Sequence, residues 1–386
     1  MERNDRKYPL VNWVGGMKVD SSHLRQTEDH FTNALCESQL ARLNKQNYGL
    51  LPFHKGDRES GEFEISELVT GTVEVRLKRC HAITSGGYLI DYVADDGTGL
   101  VSSFPVLERD LEDGQDVEQK WDVILKADPF ERVPEGIPDE KEKNPRHPNV
   151  LPQYTLNVLP SGQINMEELG RYHLVIGRLR KRGNRYEVDG SFIPPCTSMS
   201  SHEDLKNYYA KFGQFIDSIE KASNEIILKV QNADKQSMLA MNIGMICKNM
   251  MLYVATIYFS YRNEGRYYAP IRFVNVFSAL AHTCYASLSF MSKSDKEELL
   301  KYFYEWSDIT PGAFETLLAE NTGIIYDHNN IRAIMVTIER FLYLLNELWT
   351  TLSRLEYIGK HKESIVVAEH TQKKSGVTSS RWSLID

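Results

Sequence analysis

The 386-residue sequence predicts an α+β protein of several domains, in which an N-terminal β-sandwich or barrel precedes an antiparallel α-helical bundle. Two observations support this fold class. Between residues 47 and 195, short segments alternate apolar with polar residues and are rich in β-branched and aromatic side chains, as half-buried strands are. After residue 200 the apolar residues recur every three or four positions, as in amphipathic helices, and long helices with short connections favour a bundle.

An N-terminal arm and helix, residues 1–46, are expected to precede the sandwich. The stretch "VNWVGGMKVDSSHL" begins extended, and its two adjacent glycines permit a tight turn. Asp20, Ser21 or Ser22 can cap a helix after this turn, because their side-chain oxygens accept hydrogen bonds from free backbone N–H groups. Apolar residues then recur at helical spacing to about residue 43. We therefore expect a strand that leads into an amphipathic helix.

The two histidines of this helix, His23 and His30, lie seven positions apart and are separated by roughly 10 Å of helical rise. One metal ion cannot bridge that distance, and metal-binding pairs on helices use closer spacing. We interpret His23 as a capping or packing residue near the start of the helix.

Two segments of the expected β-sandwich, residues 47–195, differ from its strands. Residues 128–152 hold six of the chain's 14 prolines together with many charged residues, which predicts a projecting loop rather than a core strand. The second is a hairpin with Gly183 and Asn184 at its tip. This hairpin carries the densest positive cluster of the chain, namely Arg178, Arg180, Lys181, Arg182 and Arg185. The cluster is either solvated or a surface for an anionic partner.

The helical bundle is expected between residues 200 and 359. Helices are predicted at about 234–263, from Pro270 to about residue 291, and at about 329–358, with Pro270 well suited to a first turn. The stretch 238–259 is rich in methionine and apolar nearly all round, but polar residues interrupt it, so it falls short of a membrane span. Such a helix is expected to be enclosed by other helices or by other subunits.

Residues 360–386 are polar and rich in serine and lysine, which predicts a flexible tail. Its last six residues, "RWSLID", include Trp382 and Leu384. These residues either form a peptide that docks on a partner or belong to an unstructured end.

Composition narrows the classes of function. The formal net charge of −8 disfavours wholesale binding of nucleic acid. Five scattered cysteines without a CxxC pair favour a reducing compartment, and "MERNDRKYPL" lacks the apolar core of a signal peptide, so a soluble cytoplasmic protein is expected. The sequence contains no GxxxxGK, GxSxG or HExxH motif. We therefore expect no enzyme activity, no cofactor and no metal site.

The opening stretch resembles the N-terminal signature of TssK, the baseplate subunit of the type VI secretion system. The resemblance rests on Val11, Trp13, Gly16, Met17, Val19, His23 and Leu24. "YGLLPF" at 48–53, followed by "SELVTGTVEVRLKRCHAITSGGYLIDY", resembles the first strands of that family. "YYAPIRFVNVFSALA" at 267–281 resembles its third bundle helix. The junction between its β domain and its helices is resembled by "DGSFIPPCTSMSSHEDLKNYY", which contains Phe192, Ile193, Pro194 and Pro195.

The resemblance implies a fold and a role. In this family the arm and β domain resemble the shoulder of phage receptor-binding proteins, and three copies associate through this region and the helical bundle. The implied function is a structural adaptor that links baseplate wedge subunits of the TssF and TssG type to the membrane-anchored part of the machine. Trp13, Met17 and His23 would then pack the arm within its own subunit or against a neighbour. Pro194 and Pro195 would fix the exit from the β domain, because proline locks φ.

Candidate contacts follow from the same resemblance. The segment 128–152 and the basic hairpin are expected to meet the wedge subunits, and the methionine-rich helix 238–259 is expected to form the trimer seam. Family members generally carry a further C-terminal domain that contacts the membrane complex, where this sequence has only the tail 360–386. We expect a shortened, divergent member that lies peripheral to the inner membrane without inserting, and that reaches the membrane complex through its tail or through a different protein.

Two other classes of function are open at this point. A phage-tail-type trimeric receptor-binding or tail adaptor protein would share the architecture. An enzyme whose acidic loop residues converge only in the folded chain is the third alternative.

Overall fold

The structure is a computed structural model that describes residues 8–53, 60–68, 71–94, 99–105, 119–163, 169–182 and 185–362. Within these ranges it contains nine strands and seven α-helices, which confirms the α+β architecture. The chain divides into two units. The first unit comprises Met1–Asn207, Glu264–Phe273 and Tyr326–Ile334, and the second comprises Tyr208–Asn263, Val274–Ile325 and Met335–Asp386.

The first sheet is organised around one long strand. Its strands are β1 (Gly49–Leu50), β2 (Gly61–Leu68), β3 (Thr72–Ile83), β4 (Leu89–Val93) and β5 (Leu100–Pro105). Each of the other four strands pairs antiparallel with β3. Val73, Val75 and Leu77, at alternate positions of β3, are completely buried. The alternation of apolar and polar residues in the sequence thus corresponds to one buried face of this strand.

The second sheet contains four antiparallel strands. They are β6 (Lys120–Glu135), β7 (Asn149–Pro160), β8 (His173–Arg182) and β9 (Arg185–Val188), in the order β7-β6-β8-β9. Every residue from Trp121 to Leu125 of β6 is buried. A strand buried at successive positions is covered on both faces, which places β6 at the centre of the first unit.

Aromatic residues join the two sheets. The ring of Phe104 on β5 stacks on Trp121 of β6 with a centroid distance of 6.4 Å, and Tyr186 of β9 contacts both rings. Gly177 on β8 lies beneath the ring of Phe63, and a Cβ at this glycine would approach the ring to 2.2 Å. Only glycine allows this contact, so the two sheets share one tightly packed core.

The expectation of a loop over residues 128–152 is wrong at both ends. β6 continues to Glu135 and β7 begins at Asn149, so the loop is limited to residues 136–148. The ladder is irregular between Asp128 and Arg132 and then resumes as a two-stranded extension, called here the β6–β7 ribbon (residues 132–135 and 149–152). Pairing of β6 with β8 ends at Lys126, so the outer edge of the ribbon has no partner strand in the described ranges. Proline is tolerated at such an edge because no partner needs its N–H.

Helix α1 spans Ser21–Leu40 and confirms the predicted N-terminal helix. The strand expected before it is absent from the described part of the arm, residues 8–20. Among the described strands none pairs with the arm, so its alternating apolar residues are not organised by a ladder. Residue spacing alone does not distinguish an unpaired extended segment from a strand.

Six helices follow the β region. They are α2 (Glu203–Gln231), α3 (Met238–Glu264), α4 (Pro270–Ser289), α5 (Lys293–Trp306), α6 (Pro311–Thr322) and α7 (Ile331–Arg354). The predicted start of a helix at Pro270 is confirmed. Within the second unit, Nζ of Lys229 donates hydrogen bonds to the carbonyl oxygens of Ser353 and Leu355 at 2.5 and 2.8 Å. These bonds satisfy carbonyl groups at the C-terminus of α7 that have no partner within the helix.

Candidate interaction surfaces

The N-terminal signature forms a turn and a helix cap. Gly16 has a φ of +80°, the left-handed region that favours glycine, and the N–H of Met17 donates to the carbonyl of Val14. Asp20 is the N-cap of α1 and accepts from the N–H groups of Ser22 and His23. Nδ1 of His23 accepts from the N–H of Asp20 at 3.3 Å, which completes a reciprocal capping box. The interpretation of His23 as a capping or packing residue is confirmed, and the structure shows the capping role.

The rest of the arm leaves apolar side chains open to solvent. Trp13 is 50% exposed and contacts His23 with a ring-centroid distance of 6.2 Å, while Met17 is half-buried. On α1, Leu24, Phe31 and Leu35 lie on one face and are each more than half exposed. Contiguous exposed apolar side chains mark interaction surfaces.

The arm and α1 are fixed to the second sheet where the β6–β7 ribbon begins. The ring of Tyr8 stacks on Phe130 with a centroid distance of 4.0 Å, and the carbonyl of Tyr8 is 2.8 Å from Nδ1 of His30. Arg132 pairs with Asp29 of α1 at 2.6 Å. The exposed apolar face of α1 is therefore presented by a helix whose other side is held in place.

The β6–β7 ribbon is itself an exposed apolar surface. Val133 and Leu151 are directly paired across its two strands, and each is about half exposed. Ile137, at the start of the loop, is 90% exposed, and Val150 is about half exposed on the neighbouring pair. The segment predicted to contact partners is thus a ribbon with apolar sides and a charged loop, residues 136–148.

The basic hairpin is largely neutralised by its own acidic neighbours. Arg178 pairs with Asp122 at 2.6 Å, and Arg180 pairs with Glu187 at 2.7 Å. Lys181 lies over the ring of Tyr186, and Arg182 is 4.0 Å from Glu187. The predicted tip at Gly183 and Asn184 lies outside the described residues. Arg182 and Arg185 are exposed on β8 and β9 and are the members of the cluster most available to a partner.

The "FIPP" stretch is a buried junction. Phe192, Ile193, Pro194 and Pro195 are all buried. The N–H of Leu50 donates to the carbonyl of Pro195 at 2.8 Å, and the N–H of Thr197 donates to the carbonyl of Leu50 at 2.9 Å. A Cβ at Gly49, whose φ is +115°, would lie 2.0 Å from that same carbonyl oxygen of Pro195. Backbone hydrogen bonds therefore join this segment to β1 before the chain continues into α2.

The segment Tyr326–Ile334 of the first unit also contacts this junction. Nε2 of His328 donates to the carbonyl of Tyr48 at 2.8 Å, and His328 is buried. Arg332, in the first turn of α7, forms an ion pair with Asp204 in the first turn of α2 and donates to the carbonyl of Ser191 at 2.9 Å. Neither contact was foreseen from the sequence, because the residues involved are 128 to 280 positions apart.

Helix α3 is covered on one side only. Its buried residues include Ile243, Cys247, Met250 and Val254. Seven positions spaced alternately by three and four residues are instead exposed or half-buried, and they define the open face of α3: Met238, Met241, Met245, Lys248, Leu252, Ala255 and Phe259. Leu252 is 68% exposed and Phe259 is 74% exposed. The expected enclosure of this helix is therefore not supplied by the described part of its own chain.

By length and composition, the segment Met238–Tyr267 is apolar enough to cross a membrane, which differs from the expectation that the stretch 238–259 falls short of a span. In its most apolar window 44% of the residues are buried inside the protein, and the core helix of a soluble protein passes the same test. One such segment is weak evidence for a membrane span.

A metal or ligand site in the described ranges would require a cluster of polar side chains. No group of three or more His, Cys, Asp or Glu side chains there is placed to hold a metal ion. A cavity of about 290 Å³ in the first unit is lined by Asp122, but that carboxylate accepts hydrogen bonds from Arg178 at 2.6 Å and Ser161 at 2.8 Å. Burial raises the pKa of Cys80 and of Cys284 to about 12, so these thiols stay protonated and unreactive near neutral pH.

The remaining candidate contact residues, Trp382 and Leu384, lie outside the described residues. In sequence comparisons, no family model and no curated protein matches this chain.

The fold is similar to that of a crystal structure of TssK, with a TM-score of 0.51, 14% sequence identity, and coverage of 86% of this chain and 69% of that one. TssK from the type VI secretion system of EAEC, in complex with nanobody nb18, matches at a TM-score of 0.47 and 15% identity, over 85% of this chain and 98% of that one. A chain of a TssK-TssF-TssG baseplate subcomplex seen by cryo-electron microscopy matches at 0.47 and 15%, over 87% and 99%. The chain has a TssK-like fold.

Proposed function

We propose that this chain is a structural adaptor of a type VI secretion baseplate. Three copies associate, bind wedge subunits of the TssF and TssG type, and link them to the membrane-anchored part of the machine. The observation that carries the proposal is the open face of α3 in a chain with a TssK-like fold. The proposal includes a β-sandwich at residues 47–195 and an antiparallel bundle at 200–359, with an arm at 1–46 and a tail at 360–386.

The open face of α3 has the spacing of a helix–helix seam. Residues that alternate by three and four positions follow the heptad pattern in which the side chains of one helix enter the spaces between side chains of another. The face extends from Met238 to Phe259, about 33 Å of helix. Six of its seven residues are apolar, and flexible methionines adapt to an interface. A self-associating seam gives this face the cover that the described part of its own chain does not provide.

The surfaces of the first unit are proposed to bind the wedge subunits. The β6–β7 ribbon and its loop, residues 136–148, project beyond the paired sheet with apolar side chains exposed. Arg182 and Arg185 add positive charge on the hairpin of β8 and β9. The exposed residues of the arm and α1 supply a further apolar area, and the motif residues Trp13, Gly16, Met17 and His23 act by shaping it.

The link to the membrane complex is proposed to use the tail. Trp382 and Leu384, together with Ile385, are the large apolar residues of its last six positions. The adaptor is then cytoplasmic and peripheral to the inner membrane. Its proposed role is structural and non-enzymatic.

The first test is the native mass of the full-length protein by light scattering, which does not assume a compact shape. Three chains of 44.4 kDa give 133.2 kDa, and that mass is the expected result. A monomer of 44.4 kDa at all concentrations would contradict the proposed assembly. Co-purification of the trimer with TssF- and TssG-type subunits is then expected, whereas a trimer that binds only a cell surface would favour the phage-tail alternative.

A further inference from the structure

One charged residue interrupts the open face of α3. Lys248 lies at its centre, with Met245 before it and Leu252 after it on the same face. From Met238 to Asn263 the helix contains no acidic residue. Among the residues that the structure describes, Lys248 is exposed and forms no ion pair. A lone ammonium group in an apolar stripe is unfavourable in any seam unless a counter-charge accompanies it.

Cyclic symmetry determines which residues surround Lys248 in an assembly of identical chains. In a closed ring of identical chains, equivalent residues lie at the same height around the axis. A seam made by the open faces of three α3 helices therefore brings three Lys248 side chains to one level. Rings of Met245 and Leu252 lie about one helical turn to either side and limit the access of water. Three ammonium groups at that level repel one another and offer hydrogen-bond donors that point toward the axis.

We propose that the three Lys248 ammonium groups form an anion-binding ring at the axis of the assembled protein, and that its ligand is a small inorganic oxyanion such as sulfate or phosphate. This inference rests on the trimer proposed above. An oxyanion has acceptors for several N–H groups at once and removes the mutual repulsion of the three charges. The residues of the open face of α3 before and after Lys248 are apolar, so only the Lys248 ammonium groups hold the anion. Assembly of the trimer therefore depends on the anion concentration.

The test measures association of the full-length protein by sedimentation, in sodium chloride and in sodium sulfate at equal ionic strength. If one anion binds per trimer, sulfate at ten times its dissociation constant raises the association constant about elevenfold. Sulfate also strengthens apolar burial in general, so the effect of the site must be separated from that background. Lys248→Met provides the separation, because it removes the ammonium group and keeps an apolar side chain of similar length.

Lys301→Met is the matched control, since Lys301 is an exposed lysine of a different helix, α5. We expect wild type and Lys301→Met to respond to sulfate about tenfold more strongly than Lys248→Met. We also expect Lys248→Met to associate more tightly than wild type in dilute chloride. A wild-type trimer with the same sulfate response as Lys248→Met would overturn the ring and leave the trimer standing. A wild-type protein that is monomeric in every salt would overturn the assembly and the ring together.

Discussion

His328 donates a hydrogen bond of 2.8 Å from Nε2 to the carbonyl oxygen of Tyr48, a residue 280 positions earlier in the chain. Because a carbonyl only accepts, Nε2 carries the proton, and Nδ1 accepts from the hydroxyl of Tyr326 at 2.8 Å. The neutral imidazole thus uses both nitrogens inside the first unit. It holds the segment before α7 against the residue that precedes β1.

Stability of the first unit is predicted to fall below about pH 6.5 because of His328. Burial lowers the pKa of His328 in the folded protein, with smaller opposing effects from the Tyr48 carbonyl and Asp327. A histidine with a lowered folded pKa contributes its full stability above the unfolded pKa, and this contribution is lost as the pH falls through the folded pKa.

The measurement is the urea midpoint from pH 8 to pH 5. Burial also lowers the pKa of His173 and His202, so the wild-type slope contains their contributions. His328→Gln removes the titrating group, and we expect it to cost about 1–3 kcal/mol at pH 8 and to flatten the decline. An unchanged slope in this variant would assign the pH dependence to the other histidines.

Gly49→Ala is predicted to destabilise the first unit by about 2–4 kcal/mol. The φ of +115° is strained for alanine, and its Cβ would lie 2.0 Å from the carbonyl oxygen of Pro195. Relief of this contact requires β1 and the "FIPP" stretch to separate. Urea unfolding followed by tryptophan fluorescence measures the change. Gly162→Ala, which meets nothing within 4 Å, is the control and should change stability by less than about 0.5 kcal/mol.

Met245→Glu is predicted to convert the trimer to a folded monomer. Met245 lies in the middle of the open face of α3, and a carboxylate there is desolvated in a seam but hydrated in the free chain. Light scattering gives the mass, and far-UV circular dichroism shows that the helices are kept. Val336→Glu, at an exposed position of α7, introduces the same charge outside this face and should leave the mass unchanged. A Met245→Glu protein that is still trimeric would place the seam elsewhere.

Shortening the β6–β7 ribbon is predicted to weaken binding of TssF- and TssG-type subunits without loss of the trimer. Replacing residues 136–148 by Asn-Gly keeps the pair Glu135 and Asn149 and closes the ribbon with a two-residue turn. We expect at least about tenfold weaker co-assembly, the effect of losing about 1.4 kcal/mol of contact. Arg182→Ser with Arg185→Ser tests the hairpin separately. Wild-type binding by both variants and by their combination would exclude these surfaces as wedge contacts.

The sequence determined the features that depend only on residues close together in the chain. Gly16 and Asp20 act through their own backbone angles and side-chain oxygens, so a turn at the glycine pair and a cap at Asp20, Ser21 or Ser22 could be predicted from neighbouring residues, and the structure identifies Asp20 as the cap. Pro270 begins a helix for the same reason. The change from strand to helix spacing near residue 200 is likewise a property of short windows, and it gave the order of the β region and the helices.

Only the tertiary structure decided which surfaces are covered. Proline content predicted a loop over 128–152, but two strands pair there as the β6–β7 ribbon. The ribbon tolerates proline because an edge without a partner strand needs no proline N–H group. Arg178 of the basic hairpin pairs with Asp122, an acidic residue that is distant in sequence. The apolar spacing of α3 predicted that the helix is enclosed. It did not show whether other helices of the same chain or other subunits enclose it. Burial depends on which elements meet across long separations, and no window of a single sequence contains that information.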